Sequence, residues 1–123
     1  MQTLQVKDPK NLTDLLEIHP ILFMVLGFVV ARCHIKKLPC KLTRVIDGRI
    51  PGVSVSDTHE EGRAFDMSVQ GWTIEDINEF VTYMNDKYAD TYGALSSADN
   101  KARLVVYHIG TGPHFHIQIR KGL

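Results

Sequence analysis

Four of the six histidines in this 123-residue chain stand in or beside two short segments that could do chemistry. The first segment runs His59-Glu60-Glu61-Gly62-Arg63-Ala64-Phe65-Asp66. The second is His114-Phe115-His116, with His108 a few residues before it. In a strand, residues i and i+2 share a face, so His114 and His116 present two imidazoles side by side. Asp66 falls on the polar face of its own strand, and Ala64 leaves space beside the carboxylate. Gly62 lets the turn that carries His59 pass close to its neighbours, or adopt a positive φ. One His from a turn, one Asp and one His from strands can then meet at a point. Two imidazoles and a carboxylate suit Zn²⁺, and three protein ligands leave a fourth position for water, the arrangement of a catalytic zinc site. Such an ion makes its water a nucleophile at neutral pH and polarises a carbonyl.

The elements that must position these groups are legible from periodicity and caps. Residues 11–34 read as a helix with Thr13 as N-cap and Asp14 and Glu17 at its positive end; Pro20 can split or restart it. Residues 42–46 read as a short strand and 47–58 as a loop, with Asp47-Gly48 and Pro51-Gly52 as turn signals. Residues 63–69 read as a strand whose apolar face is Phe65, Met67 and Val69, with Asp66 directed to a groove or to solvent. Thr73 and Asp76 form a capping box, followed by a helix with a core stripe of Ile74, Ile77, Phe80, Val81, Met84 and Tyr88. Residues 89–101 read as a polar loop. Residues 104–109 and 114–120 read as an antiparallel hairpin closed by Gly110-Thr111-Gly112-Pro113, with Phe115, Ile117 and Ile119 inward. The expected class is α+β, a small and mainly antiparallel sheet packed with two main helices, in one domain over residues 1–123.

Composition narrows the partners. Lys and Arg together number 14 and Asp and Glu 14, for a formal net charge of zero. That balance argues against a chain held to nucleic acid by long-range electrostatics and against a polybasic membrane anchor. The apolar run from Ile21 to Ala31 is too short to span a bilayer, so no stable membrane insertion is expected. The polar N-terminus lacks the layout of a secretory signal, and synthesis in the cytoplasm is expected. Cys33 and Cys40 lack the close spacing of a zinc finger, even with His34 between them, and read as reduced, partly buried thiols. His19 and His34 read as bystanders.

The pattern His59-x-x-Gly62-Arg63-Ala64-x-Asp66 followed by His114-x-His116 resembles the D-Ala-D-Ala carboxypeptidase family of zinc metallopeptidases. That group includes the phage L-alanyl-D-glutamate endolysins and the zinc-bearing hedgehog signalling domain. The resemblance covers roughly residues 38 to 118. It implies a hedgehog-like fold and zinc ligands His59, Asp66 and His116. It implies a peptidase acting on peptidoglycan stem peptides through a metal-bound water, as an endolysin or tail-associated wall hydrolase. Without a signal, such an enzyme would reach the wall by holin- or virion-mediated delivery.

This chain departs from the family at two points. Where the family has Ser two places before the first His, it has Asp57, with Ser56 one place further back. The family's catalytic acidic or His residue before the last ligand meets Gly110, Thr111, Gly112 and Pro113, and no Asp or Glu follows Asp99. The general base then falls to His108 or His114, since imidazole titrates near neutrality. His114 also suits an oxyanion donor. The family's substrate-holding Arg corresponds to Arg44 or Arg49, either of which can fork a carboxylate. Arg63 reads as structural. The missing acidic base motivates an alternative, a non-catalytic zinc-binding or virion structural module; another is a D,D-dipeptidase acting on free dipeptides.

Overall fold

The structure is a computed structural model and describes residues 4–46, 61–95, 100–110 and 112–123. Arg49, Ser56, Asp57, His59 and the whole expected loop 47–58 lie outside the described residues.

The described chain is α+β, three helices with a mostly antiparallel five-stranded sheet. The elements run β1 (Leu4–Val6), α1 (Pro9–Asp14), α2 (Pro20–Lys36), β2 (Cys40–Arg44), β3 (Ala64–Ser68) and α3 (Ile74–Tyr92). They continue with β4 (Ala94–Leu95), β5 (Ala102–Arg103), β6 (Val105–His108) and β7 (His114–Gln118). The main sheet has the order β1-β2-β3-β7-β6, with β4 and β5 forming a separate ladder. Only β1 runs parallel to its neighbour.

The single helix expected over 11–34 is two helices. Asp8, not Thr13, caps α1, with Pro9 in its first turn. The second helix begins at Pro20, whose missing N–H is harmless at a helix start. His19 caps it, accepting from the Ile21 N–H at 3.0 Å. The other ring nitrogen of His19 lies 2.8 Å from the Leu123 carbonyl, so His19 ties a helix start to the chain's last residue. Its role is structural. The expected polar loop 89–101 is also partly ordered: α3 continues to Tyr92, and β4 pairs with β5.

The capping box of α3 is present, with Thr73 Oγ1 accepting from Asp76 N at 3.1 Å and Asp76 Oδ2 accepting from Thr73 N at 3.0 Å. Ile77, Phe80 and Met84 are buried, while Ile74 at the helix start is exposed. These side chains join Leu22, Val25 and Val29 of α2 and the inward residues Leu42, Phe65, Met67, Phe115 and Ile117 in one core. Cys33 and Cys40 are free and buried within it. The Cys33 thiol is pushed up by its hydrogen bond to Cys40 and by burial. His34, by contrast, is exposed.

Two features hold the strands that matter below. Asn85 of α3 accepts from the N–H groups of Leu104 and Val105 at 2.8 and 3.0 Å and donates to the Val105 carbonyl at 2.9 Å. It fixes the entry to β6. On β7, the Phe115 ring packs 5.0 Å from Trp72 and 4.9 Å from Phe80, anchoring the residue between the two histidines.

Candidate metal centre

Antiparallel pairing places Asp66 directly opposite His116, Ser68 opposite His114 and Ala64 opposite Gln118. Directly paired residues share a face and hold their Cβ atoms about 5 Å apart. The next ladder sets His108 opposite His114. On the other side, Arg44 pairs with Asp66. One face of the sheet therefore carries Arg44, Asp66 and His116 in a row, with Ser68, His114 and His108 in the next.

Arg44 reaches that row through a break in register. Leu42 pairs with Met67 on the core face, yet Arg44 pairs with Asp66, and the ladder shifts between them. In an uninterrupted strand Leu42 and Arg44 would share a face. The irregularity turns Arg44 away from the core, as β-bulges do beside functional sites.

Asp66 is only 7% exposed, so of the two expected surroundings, a groove or solvent, it does not lie open to solvent. Its Oδ1 lies 3.0 Å from His116 Nδ1, and its Oδ2 lies 3.8 Å from His114 Nε2. The far nitrogens of both rings are engaged. His114 Nδ1 lies 2.7 Å from the Gly112 carbonyl oxygen, an acceptor that requires a proton on that nitrogen. His116 Nε2 lies 3.0 Å from Gln118 Oε1. Gln118, 6% exposed, donates its amide N–H to the Ala94 carbonyl at 3.5 Å, which leaves Oε1 to accept from His116. The roles at the Asp66 contact depend on the tautomer: a proton on Nδ1 makes His116 a donor to the carboxylate at 3.0 Å, and a proton on Nε2 alone turns the Nδ1 lone pair toward it.

A tetrahedral ion with bonds of about 2.0–2.1 Å spaces its ligand atoms about 3.3 Å apart, while the 3.0 Å between Asp66 and His116 is the length of an ordinary N–H···O hydrogen bond. Among the described residues, no three His, Cys, Asp or Glu side chains form a group able to hold an ion. Asp66 and His116 are two of the three expected ligands, and the third, His59, lies outside the described residues.

His108 stacks on His114 with ring centroids 5.4 Å apart and meets His116 edge-on at 5.8 Å. It lies beside the candidate ligand and is itself exposed at the end of β6. Burial holds its pKa below the ordinary histidine value, the neighbouring His116 and His114 add to this, and Asp66 opposes it. The neutral form, the one able to accept a proton, is favoured.

Gly62 and Arg63 hold the turn and the edge that lead into β3. Gly62 has φ +70°, and an added Cβ would lie 3.4 Å from the Glu17 carbonyl and Ile18 Cα. Its own carbonyl accepts from His19 N at 3.0 Å. Arg63 donates to the Ile119 carbonyl at 2.9 Å and pairs with Glu61 at 3.0 Å, tying β3 to the end of β7.

Sequence reasoning missed Gln118 and Asn85. Gln118 stood on the correct face of β7, two residues from His116, which was the available signal. Among the described residues no helix is long and apolar enough to cross a membrane. Set against protein-family models, curated proteins and solved structures, the chain matches none.

Proposed function

We propose that this protein is a zinc-dependent peptidase that hydrolyses peptidoglycan stem peptides. The observation that carries the proposal is the Asp66–His116–Gln118 chain. A buried carboxylate faces an imidazole nitrogen whose partner nitrogen is already committed to an amide oxygen. Metal-bound histidines characteristically donate their second N–H to such an acceptor, which fixes the tautomer. The motif resemblance supplies the peptidase class and the third ligand, His59.

In this reading Asp66, His116 and His59 hold zinc. Zinc, when bound, supplies Lewis-acid polarisation of the scissile carbonyl and a nucleophile at neutral pH. His108, whose pKa is lowered, would accept a proton from the attacking water. His114, with Nδ1 held by the Gly112 carbonyl, directs Nε2 toward the same space and can stabilise charge or take the proton in turn. Arg44 sits beside Asp66 and suits a substrate carboxylate, which stem peptides carry in quantity.

A second reading has its own support. A doubly protonated His116 would satisfy both Asp66 and Gln118 as a buried ion pair, leaving a non-catalytic module of the same fold. Zinc content and wall-lysis activity separate the two. The first reading expects zinc in the purified protein and turbidity loss from cell walls, both abolished by Asp66→Ala and His116→Ala. Equal activity in wild type and variants overturns it. An intact fold that binds no zinc favours the ion pair.

A further inference from the structure

Cys33 and Cys40 stand apart from the candidate metal centre, and the fold brings them together. Six residues separate them in the sequence. Cys33 lies in the last turn of α2, and Cys40 opens β2. The reversal between them is tightly held. Lys37 ends the helix in the left-handed conformation, with φ 57°. The Leu38 N–H then donates to the Cys33 carbonyl at 2.9 Å. Next, the Pro39 carbonyl accepts from the Trp72 indole N–H at 3.0 Å. This turn sends both sulfurs into the same core, where Cys33 is 1% and Cys40 2% exposed. The two side chains are in hydrogen-bond contact, Cys33 donating to Cys40. A disulfide needs such an approach, with Cα atoms within about 7 Å and converging Cβ vectors.

We propose that Cys33 and Cys40 form a reversible dithiol–disulfide pair, closed by a hydroperoxide oxidant, that ties the end of α2 to the start of β2. The Cys40 thiolate attacks one peroxide oxygen, and the O–O bond breaks. Cys40 becomes a sulfenic acid, and the released hydroxide takes up the proton that Cys40 gave up. The Cys33 sulfur then attacks the Cys40 sulfur. The S–S bond forms, the S–O bond breaks, and the leaving hydroxide takes the Cys33 proton. The two thiols lose two electrons and two protons, and hydrogen peroxide becomes two waters.

The order of attack follows from the contact. The hydrogen bond from Cys33 holds the Cys40 pKa below the ordinary thiol value against the opposing effect of burial, while it raises Cys33. Access comes at the sheet edge. Cys40 pairs with Leu4 of β1, a three-residue strand at the end of the sheet order. Local opening of so short an edge strand admits a small oxidant while the rest of the core stays closed. The bridge closes a loop of eight residues, which constrains the unfolded chain and makes the oxidised form the more stable one. The proposal is independent of the zinc reading.

Mass spectrometry of the full chain tests it. The protein is treated with hydrogen peroxide under native conditions, and remaining thiols are alkylated in denaturant. The expected product is a monomer lighter by two hydrogens, with no alkylated cysteine and Cys33 joined to Cys40 in the digest. Dithiothreitol restores both thiols. The oxidised protein melts about 3 °C or more above the reduced one. Cys33→Ala forms no bridge, and dimedone traps a sulfenic acid at Cys40; Cys40→Ala gives at least about 10-fold less adduct at Cys33. A folded wild type that keeps both thiols after peroxide treatment overturns the proposal. So does a disulfide between two chains, or one that forms only in denaturant.

Discussion

Asp66 and His116 face each other across the β3–β7 ladder, Oδ1 to Nδ1 at 3.0 Å, with Gln118 holding the far side of the imidazole at 3.0 Å. Both ring nitrogens of His116 are therefore engaged, one by a carboxylate and one by an amide oxygen.

Removing the acceptor should loosen the site without unfolding it. Gln118→Leu is expected to weaken zinc binding about 10–100-fold, the usual effect of losing an outer partner of a ligating histidine. Competition against a chromophoric chelator measures the affinity. Nitrogen chemical shifts of His116 should report a mixed tautomer in the variant and a single Nε2–H form in wild type.

Arg44 is expected to bind substrate, so Arg44→Lys should raise KM for an acidic stem peptide more than it lowers kcat. Lysine keeps the charge but not the two-pronged hydrogen bonding. Steady-state kinetics with carboxylate and amidated versions of the same peptide check this, since the amide should lose the discrimination.

The depressed pKa of His108 has a consequence for stability. As pH falls below about 6.5, the unfolded chain binds this proton before the folded chain does, so unfolding is favoured. Stability from this residue is therefore lost on acidification, starting near the unfolded value. His108→Gln in the metal-free protein should flatten the fall in melting temperature between about pH 7 and 5. An unchanged slope would count against burial at His108.

Asn85 satisfies three backbone groups at the start of β6. Asn85→Ala should destabilise the fold by about 2 kcal/mol or more, because these groups lose their partners. Urea unfolding measures the loss.

Gly62→Ala should cost about 1–2 kcal/mol from the left-handed conformation alone. The added Cβ contact with the Glu17–Ile18 backbone acts in the same direction. Thermal unfolding should show it as a lowered melting temperature.

The sequence was most informative where one residue and its near neighbours decide the outcome. The alternation through Phe115, Ile117 and Ile119 set the faces of β7, and the Thr73–Asp76 box set the start of α3. Both depend on short-range geometry. Pro20 marks a possible helix break in the sequence, but His19 as cap also holds Leu123, far along the chain. The strand β1 is three residues long and gains its bonds from β2, so its own residues carry almost no signal. The register shift that turns Arg44 to the site face arises between two strands and leaves no mark in either. For the candidate site, the β3–β7 ladder brings Asp66 beside His116 and His114, while His59, the third member of the expected set, lies outside the described residues. The role of Gln118 was not, because it exists only once the ladder and the Ala94 carbonyl are in place.

Zinc titration of the metal-free chain, read by chelator competition, tests the central claim most directly. The account predicts stoichiometric zinc in the wild type and affinity lower by more than about 100-fold in Asp66→Asn and in His116→Gln, with both variants folded. Zinc bound equally by all three proteins, or by none of them, would contradict it.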